Sequence, residues 1–481
     1  MEVLQRTANR GSISTGYDID NSLKFERSGG GEHVRTSDQA VGNKKTWTFS
    51  AWLKRTQLGQ DYSCVFGSGY TNIQFMDNDK LRVVLYDGSN SRYADTDQVF
   101  RDTSAFYHIV IALDSTQGTA SDRVKIYING VRVTSFSNTT YTNMSQNDEF
   151  GLGYAGSDGS ERWLRLGDFF GGSEGFSGYM SDVYYLNGTA EDADAFGEFD
   201  GDSGIWIPKK YTGSGFGTQG FKYEFKDSSA LGTDTSGEGH DANGLNNISA
   251  ADQATDTPTN NFATFNTLYN YDGVVINEGA TKTTNENTAN FRSVVSNIAV
   301  QNGKWYAEFT AGSNTGFVGV GLVEEMTGSL PKSQYLGQLG ESISYYAYQG
   351  QILHGGSAQS TTGTFAGYGA GDVIGIALDK TNGFVYWHKN GTYQNSGDPT
   401  SGATGTGGIA LSLGYSGYAQ SDYYFMGYAQ SSATTAYANF GGYTADTPSS
   451  PASDANGYGT FEYAPPTGYY ALCSRNLSEF G

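Results

Sequence analysis

The stretch LGYSGYAQSDYYFMGY, Leu413 to Tyr428, is dense in tyrosine, and its glycines and serines leave room for close approach. Aromatic rings stack on the C–H faces of sugars while neighbouring Asn, Asp and Gln side chains bond the hydroxyls. Tyr415, Tyr418, Tyr423 and Tyr424 are therefore the candidate ligand-binding residues. The competing expectation is a strand with Tyr on both faces, or packing against a sister subunit. MDNDK offers a second chemistry. Asp77, Asn78 and Asp79 carry the oxygen ligands that Ca2+ prefers, although the same residue types also form hairpin turns. GSDGSE, Gly156 to Glu161, is a weaker version of the same signal.

Glycoside hydrolysis would need two carboxylates flanking one bond. The nearest match is EFDGDS, where Glu198, Asp200 and Asp202 alternate, but the third acid is Asp and Gly201 weakens the strand. Its setting reads as a loop of solvated acids. The five histidines are scattered; His108 and His388 fall inside strand patterns, where surface or cross-strand roles are expected. No HExxH, GxSxG or clustered Cys/His motif is present, and Gly-rich stretches such as GSGFGTQG lack a phosphate-binding Lys-Ser/Thr and a following helix. No catalytic residue is assigned, and the chain is expected not to be an enzyme.

The elements that must position these residues are strands. In KWYAEFTA, Trp305, Ala307 and Phe309 point one way and Tyr306, Glu308 and Thr310 the other. In VKIYINGVRV, Val124, Ile126 and Ile128 share a face, and Asn129-Gly130 suits the two positive-φ positions of a type I′ turn. Asn390-Gly391 repeats that turn. One phrase is written twice, YHIVIALD…VKIYING and GDVIGIALD…FVYWHKNG. The best helix candidate, TAEDADAFGEF (Thr189 to Phe199), is short and acidic.

Composition agrees. With 67 Gly, 35 Tyr, 27 Phe and only 16 % charged residues, the chain is β-rich and turn-rich. A formal charge of −21 argues against nucleic acid, which needs Lys and Arg to displace phosphate counterions, and against an anionic membrane surface. Cys64 and Cys473 make no disulfide framework, no apolar run approaches a membrane span, and MEVLQRTANRGSIS has no apolar signal-peptide core. The 481 residues divide into an N-terminal extension (1–20), a first β block (21–207), a loop-rich connecting region (208–271), a second β block (272–445) and an extended tail (446–481).

The first block, through WTFSAWLKR, HIVIALD…VKIYINGVRV and FSGYMSDVYYLNG, resembles a laminin-G-like domain of the concanavalin-A-like lectin superfamily. The second, through GKWYAEF, VGVGL, GDVIGIALD and FVYWHKNG, resembles a SPRY domain. These resemblances imply an all-β chain of two antiparallel β-sandwiches of jelly-roll type, and laminin-G-like relatives often bind calcium at a sandwich rim. The whole arrangement, with TDTPTNNFATFNTL between the blocks and YAPPTGYYALCSRNLSEFG at the end, resembles surface proteins of marine tailed bacteriophages. The resemblance implies a homo-oligomeric virion surface protein, a tail fibre or capsid-associated fibre or adhesion component, made in the host cytoplasm, that recognises host-surface glycan or another virion protein. Its partners would not include nucleic acid, and it would not insert in a membrane. A capsid decoration protein without a host ligand and a carbohydrate-active enzyme are the alternatives.

Overall fold

The computed structural model describes residues 17–27, 31–36, 42–68, 70–150, 152, 163–168, 174–213, 215–269, 273–286, 291–322, 335–338, 341–355, 364–414, 417–419, 422–431 and 433–481. Two compact units divide at Thr259/Asn260. Each is a β-sandwich built mainly of antiparallel strands.

In the unit Ser14–Thr259 the described residues form two eight-stranded antiparallel sheets. One centres on Tyr107–Asp114, Thr46–Arg55 and Gly178–Asn187. The other runs Phe136–Asn138, Ser91–Val99, Lys80–Tyr86, Thr71–Phe75, Ser63–Ser68, Arg165–Leu166, His33–Thr36, Ala242–Asn246. The alternating apolar positions, among them Phe49, Ile111, Ile126, Phe66, Ile73 and Val83, pack as one core. Residues 208–271, expected as a connector, supply strands to both sheets. Phe221–Tyr223 pairs with Gly178–Asn187, Ala242–Asn246 with His33–Thr36, and Gln253–Ala254 with Ser22–Phe25. Of these, Ala242–Asn246 and Gln253–Ala254 are short polar strands at sheet edges and carry too little apolar pattern to stand out in the sequence. The helix expected over Thr189–Phe199 is a 3-10 turn at Ala193–Ala195 followed by the strand Gly197–Phe199. That hairpin lays Trp206 on the outer face of the sheet, where backbone pairing with Trp206–Pro208 outweighs a short acidic helix.

In the unit Asn260–Gly481 a nine-stranded sheet centres on Lys304–Thr310, Val373–Asp379 and Phe384–Lys389, and a five-stranded sheet on Tyr424–Gln430 and Phe317–Leu322. Trp305, Ala307 and Phe309 face the core between them, as the alternation predicts. The tail is not simply extended. It turns back on its own unit, pairs Tyr470 and Ala471 in parallel with Trp305 and Tyr306, and ends in the helix Ser474–Phe480. Phe461, Tyr469 and Cys473 thereby cover the outward Tyr306 and Tyr386. Burial of these rings is what holds it there, at roughly 25 cal/mol per Å² of apolar surface.

The repeated phrase is one device in both units. Asp114 and Asp379 each accept backbone N–H groups of the turn that follows them, from Thr116 and Asn382. Asn129 and Asn390 take φ 47° and 48°, Gly130 and Gly391 φ 79° and 80°. Each Asn side chain also accepts a neighbouring strand's N–H, from His108 and Val373 respectively. A Cβ on Gly130 would fall within 2.3 Å of the Trp206 ring, so only glycine fits.

Candidate functional site

The tyrosine-rich stretch does not form an open platform. Tyr415 lies outside the described residues. Tyr424 is 1 % exposed and belongs to the core, because its strand lies inside the five-stranded sheet, between Arg292–Val295 and Phe317–Leu322, with one face on the core. Tyr423 is half-buried against Val295, Ala299, Leu336 and Phe425. Tyr418 and Tyr424 do come together, with ring centroids 6.1 Å apart, around the buried Lys380. The Lys380 amine sits 4.6 Å from one ring centroid and 4.4 Å from the other, and burial lowers it to about 8 against the pull of Asp422. These rings solvate a lysine, and only the half-buried Tyr418 keeps an accessible edge.

MDNDK forms the turn joining Thr71–Phe75 to Lys80–Tyr86. Asp77 and Asn78 are exposed at its tip, and the Asn78 side chain accepts from Lys80 N at 3.1 Å. Asp79 turns inward at φ 63°. Its carboxylate accepts from Arg55 Nη2 at 3.1 Å, Gly59 N at 2.9 Å and Arg101 Nε at 2.9 Å. Burial would raise Asp79, but these donors outweigh it and hold the carboxyl below its usual range. A carboxylate already shared by two guanidinium groups is a poor ligand for a further cation. Among the described residues, no group of three or more His, Cys, Asp or Glu stands where it could hold a metal. The GSDGSE stretch lies outside the described residues.

Of the EFDGDS acids, Glu198 is exposed on its strand, and Asp200 caps a turn by accepting from Ser203 N and Oγ and from Asp202 N. The strand histidines are buried rather than superficial. His108 stacks between Trp52 and Trp206, with Ser50 Oγ 2.9 Å from Nε2 and Trp206 Nε1 donating to Nδ1 at 3.0 Å. His388 meets the Tyr306 hydroxyl at 2.6 Å. Burial pushes both down to about 3. Neutral imidazoles wedged under aromatic rings are structural.

A different surface collects unspent hydrogen-bonding groups. In the second sheet of the unit Ser14–Thr259, the strands send Ile73, Phe75, Val83, Ala94 and Leu166 inward. The alternate residues therefore line the outer face. Register sets them in rows. Arg35 stands opposite Arg165, which shares Gly67 with Asn72; Asn72 stands opposite Val84, and Val84 opposite Tyr93. The next row is Gln74, Arg82 and Asp95. Asp95 takes Arg82 in two contacts of 2.7 Å, the fork-on-fork geometry that fixes a guanidinium. Asn72 Oδ1, Gln74 Oε1 and Arg35 Nε are shielded from water and have no hydrogen-bond partner among the described residues. Beside them stand aromatic rings. Trp163 lies 4.2 Å under the Arg35 guanidinium, Tyr93 lies 5.0 Å from Arg82, and Tyr70 meets Tyr86 at 4.8 Å. Acceptors and a donor set between rings can bond hydroxyls and stack on C–H faces at once. The sequence hinted at this only through the alternation of TNIQF, in which Asn72 and Gln74 interleave with Ile73 and Phe75. The rows themselves need cross-strand register.

Residues 28–194 match the model of a family described as the concanavalin A-like lectin/glucanases superfamily. No curated protein sequence matches the chain. Among solved structures, a Bacteroides ovatus protein described as a "putative carbohydrate binding protein" is 16 % identical with a TM-score of 0.34; the match takes in 48 % of this chain and 59 % of that one. The TRIM65 PSpry domain is 14 % identical with a TM-score of 0.27, over 37 % of this chain and 91 % of that domain. A SAP-like pentraxin from Limulus polyphemus is 17 % identical with a TM-score of 0.26, over 37 % of this chain and 80 % of that one. Through residues 28–194, then, the first sandwich is similar to the concanavalin-A-like lectins and glucanases.

Proposed function

We propose that the chain is a non-enzymatic recognition protein that binds glycan on the outer face of its first sandwich. The observation that carries this reading is the set of groups in two adjacent rows, Arg35 Nε, Asn72 Oδ1 and Gln74 Oε1, that find no partner among the described residues and stand beside Trp163, Tyr93 and Tyr70. Buried polar atoms without partners are costly, and the exposed Tyr70 with the half-buried Arg82, Tyr93 and Trp163 beside them are the groups a sugar meets first. The resemblance of the whole sequence to surface proteins of tailed phages supports a place on the virion surface. There, weak single sites gain strength from many copies, and other virion proteins and further copies of this chain are the expected partners. Tyr418 keeps a secondary role in the second sandwich.

A glycan array with the full chain tests the reading. Asn72→Ala and Gln74→Ala are each expected to weaken the best glycan about tenfold, the worth of one hydrogen bond to a ligand. The bound polysaccharide is expected to release no reducing ends. Undiminished binding by the double variant would refute the site, and cleavage lost on Glu198→Gln would restore the enzyme reading. Quantitative mass spectrometry of purified particles tests the location. Fibre-like copy number agrees, a number near that of the capsid protein favours decoration, and absence removes the virion role.

A further inference from the structure

Three buried side chains near the closing edge of the first sandwich do not belong to the ligand face. Lys24 lies on Ser22–Phe25, the strand that opens the unit. Asp252 ends the 3-10 turn Ala250–Asp252, and the next residues, Gln253 and Ala254, pair antiparallel with Leu23 and Ser22. One step further along that register sets Lys24 opposite Asp252, the spacing at which cross-strand side chains touch. The Lys24 amine is 2.8 Å from Asp252 Oδ1 and 2.9 Å from Glu32 Oε1. The three residues are 1 %, 7 % and 7 % exposed. Asp252 Oδ2 faces the other way and accepts from Ser249 N at 2.7 Å and Ser249 Oγ at 3.1 Å. Glu32 Oε2 is fixed by Glu26 N at 2.7 Å.

We infer that Lys24 and Asp252 condense into an intramolecular isopeptide bond, with Glu32 carrying the proton. The arrangement supplies each part of an acyl transfer. In a shielded site the ammonium–carboxylate pair can pass its proton across the 2.8 Å contact, giving a neutral amine and a carboxylic acid. The amine nitrogen attacks Asp252 Cγ. Oδ2 collects the developing charge, where the Ser249 N–H and hydroxyl already point, and becomes the carbonyl oxygen of the amide. Glu32 takes the second proton from the nitrogen and delivers it to Oδ1, which leaves as water. One C–N bond forms, one C–O bond breaks, Glu32 returns to its starting state, and no outside reactant is needed. Burial, which outweighs the pull of Lys24, lifts the Glu32 carboxyl to about 7, a level suited to passing protons both ways near neutrality.

A second lysine with two carboxylates provides a contrast. Lys222 meets Asp182 at 3.3 Å and Glu224 at 2.6 Å. Burial would lower it, but Asp182, Tyr17 and Glu224 together raise it above its ordinary value and keep it an unreactive ammonium. The bond at Lys24 would join the first strand of the sandwich to the last, so tension on the chain ends would bypass the hydrogen-bonded ladder between them. This inference does not depend on the glycan reading.

Mass spectrometry of the full-length chain tests it. The folded protein is expected to weigh one water less than its sequence, and proteolysis to yield a branched peptide joining the Lys24 and Asp252 segments. Glu32→Gln and Lys24→Arg are expected to restore the full mass while the β-sheet circular dichroism persists. A wild-type chain of full mass would overturn the inference whether or not the variants fold. So would a branched peptide at Lys222–Asp182 or at the further buried pair Lys54 and Asp256, 2.8 Å apart, or an undiminished cross-link in Glu32→Gln.

Discussion

Asp79→Ala is expected to destabilise the first sandwich by about 3–5 kcal/mol, the cost of stripping the partner from a buried charge. Arg55 is 0 % exposed, its guanidinium lies 4.3 Å over the Phe75 ring, and Asp79 is the acid that answers it. Removing the carboxylate strands that charge, frees Gly59 N and releases Arg101. It also forces Ala into φ 63°, a region that Asp and Asn tolerate far better. Asp79→Asn keeps an acceptor and suits the backbone, so it should fall between wild type and Ala. Urea unfolding followed with and without a calcium chelator makes the measurement decisive. If Asp79 is the hub of an ion-pair network, the Ala variant loses stability and chelation changes neither protein. Were it a calcium ligand, chelation would lower the wild type towards the variant.

Glu308→Gln is expected to change how the second sandwich responds to pH. Glu308 is 2 % exposed and accepts from Glu462 N and Tyr463 N at 2.8 Å and from the Tyr306 hydroxyl at 2.8 Å. Burial outweighs these donors and lifts its carboxyl to about 7 from 4.5. A carboxyl raised on folding stabilises below 4.5 and loses that contribution as pH climbs through 7. His388 runs the other way. Burial lowers it from 6.5 to about 3, so its contribution is whole above 6.5 and is lost as pH falls towards 3. Between 4.5 and 6.5 the two slopes oppose each other, and the wild-type sandwich should be nearly level there. Gln removes one slope, leaving a fall of about 2–3 kcal/mol across that window on acidification. Hydrogen exchange in Lys304–Thr310 reads the unit by itself. A pH-independent loss of about 1 kcal/mol from a mismatched backbone donor is expected on top and does not affect the slope. A variant as level as the wild type would show that Glu308 does not titrate in this range.

The sandwich architecture was legible in the sequence because it depends on local pattern. Alternation set Val124, Ile126 and Ile128 on one face, and each Asn-Gly pair declared its turn through a backbone geometry few residues accept. The candidate site was not legible. Tyr418 and Tyr424 have the residue type of a sugar platform, yet nothing in their own stretch announces that Lys380, some forty residues away in sequence, lies against both rings. Asn72 shares a row with Arg35 and Tyr93, and Gln74 one with Arg82 and Asp95, only through cross-strand register, which TNIQF does not carry by itself.

By itself, then, the sequence determined that this is an all-β chain with two sandwich cores, turning at Asn129-Gly130 and Asn390-Gly391, since period-2 burial and positive-φ turns are properties of a few adjacent residues. Tertiary structure alone decided that residues 208–259 complete the first sandwich, that the tail caps Glu308, that Asp79 faces arginines, and that Lys24 meets Asp252. Each of these joins groups between about 20 and 230 residues apart. Pairing of that kind is fixed by which strands exclude water together, a choice made by the whole core and written in no single segment.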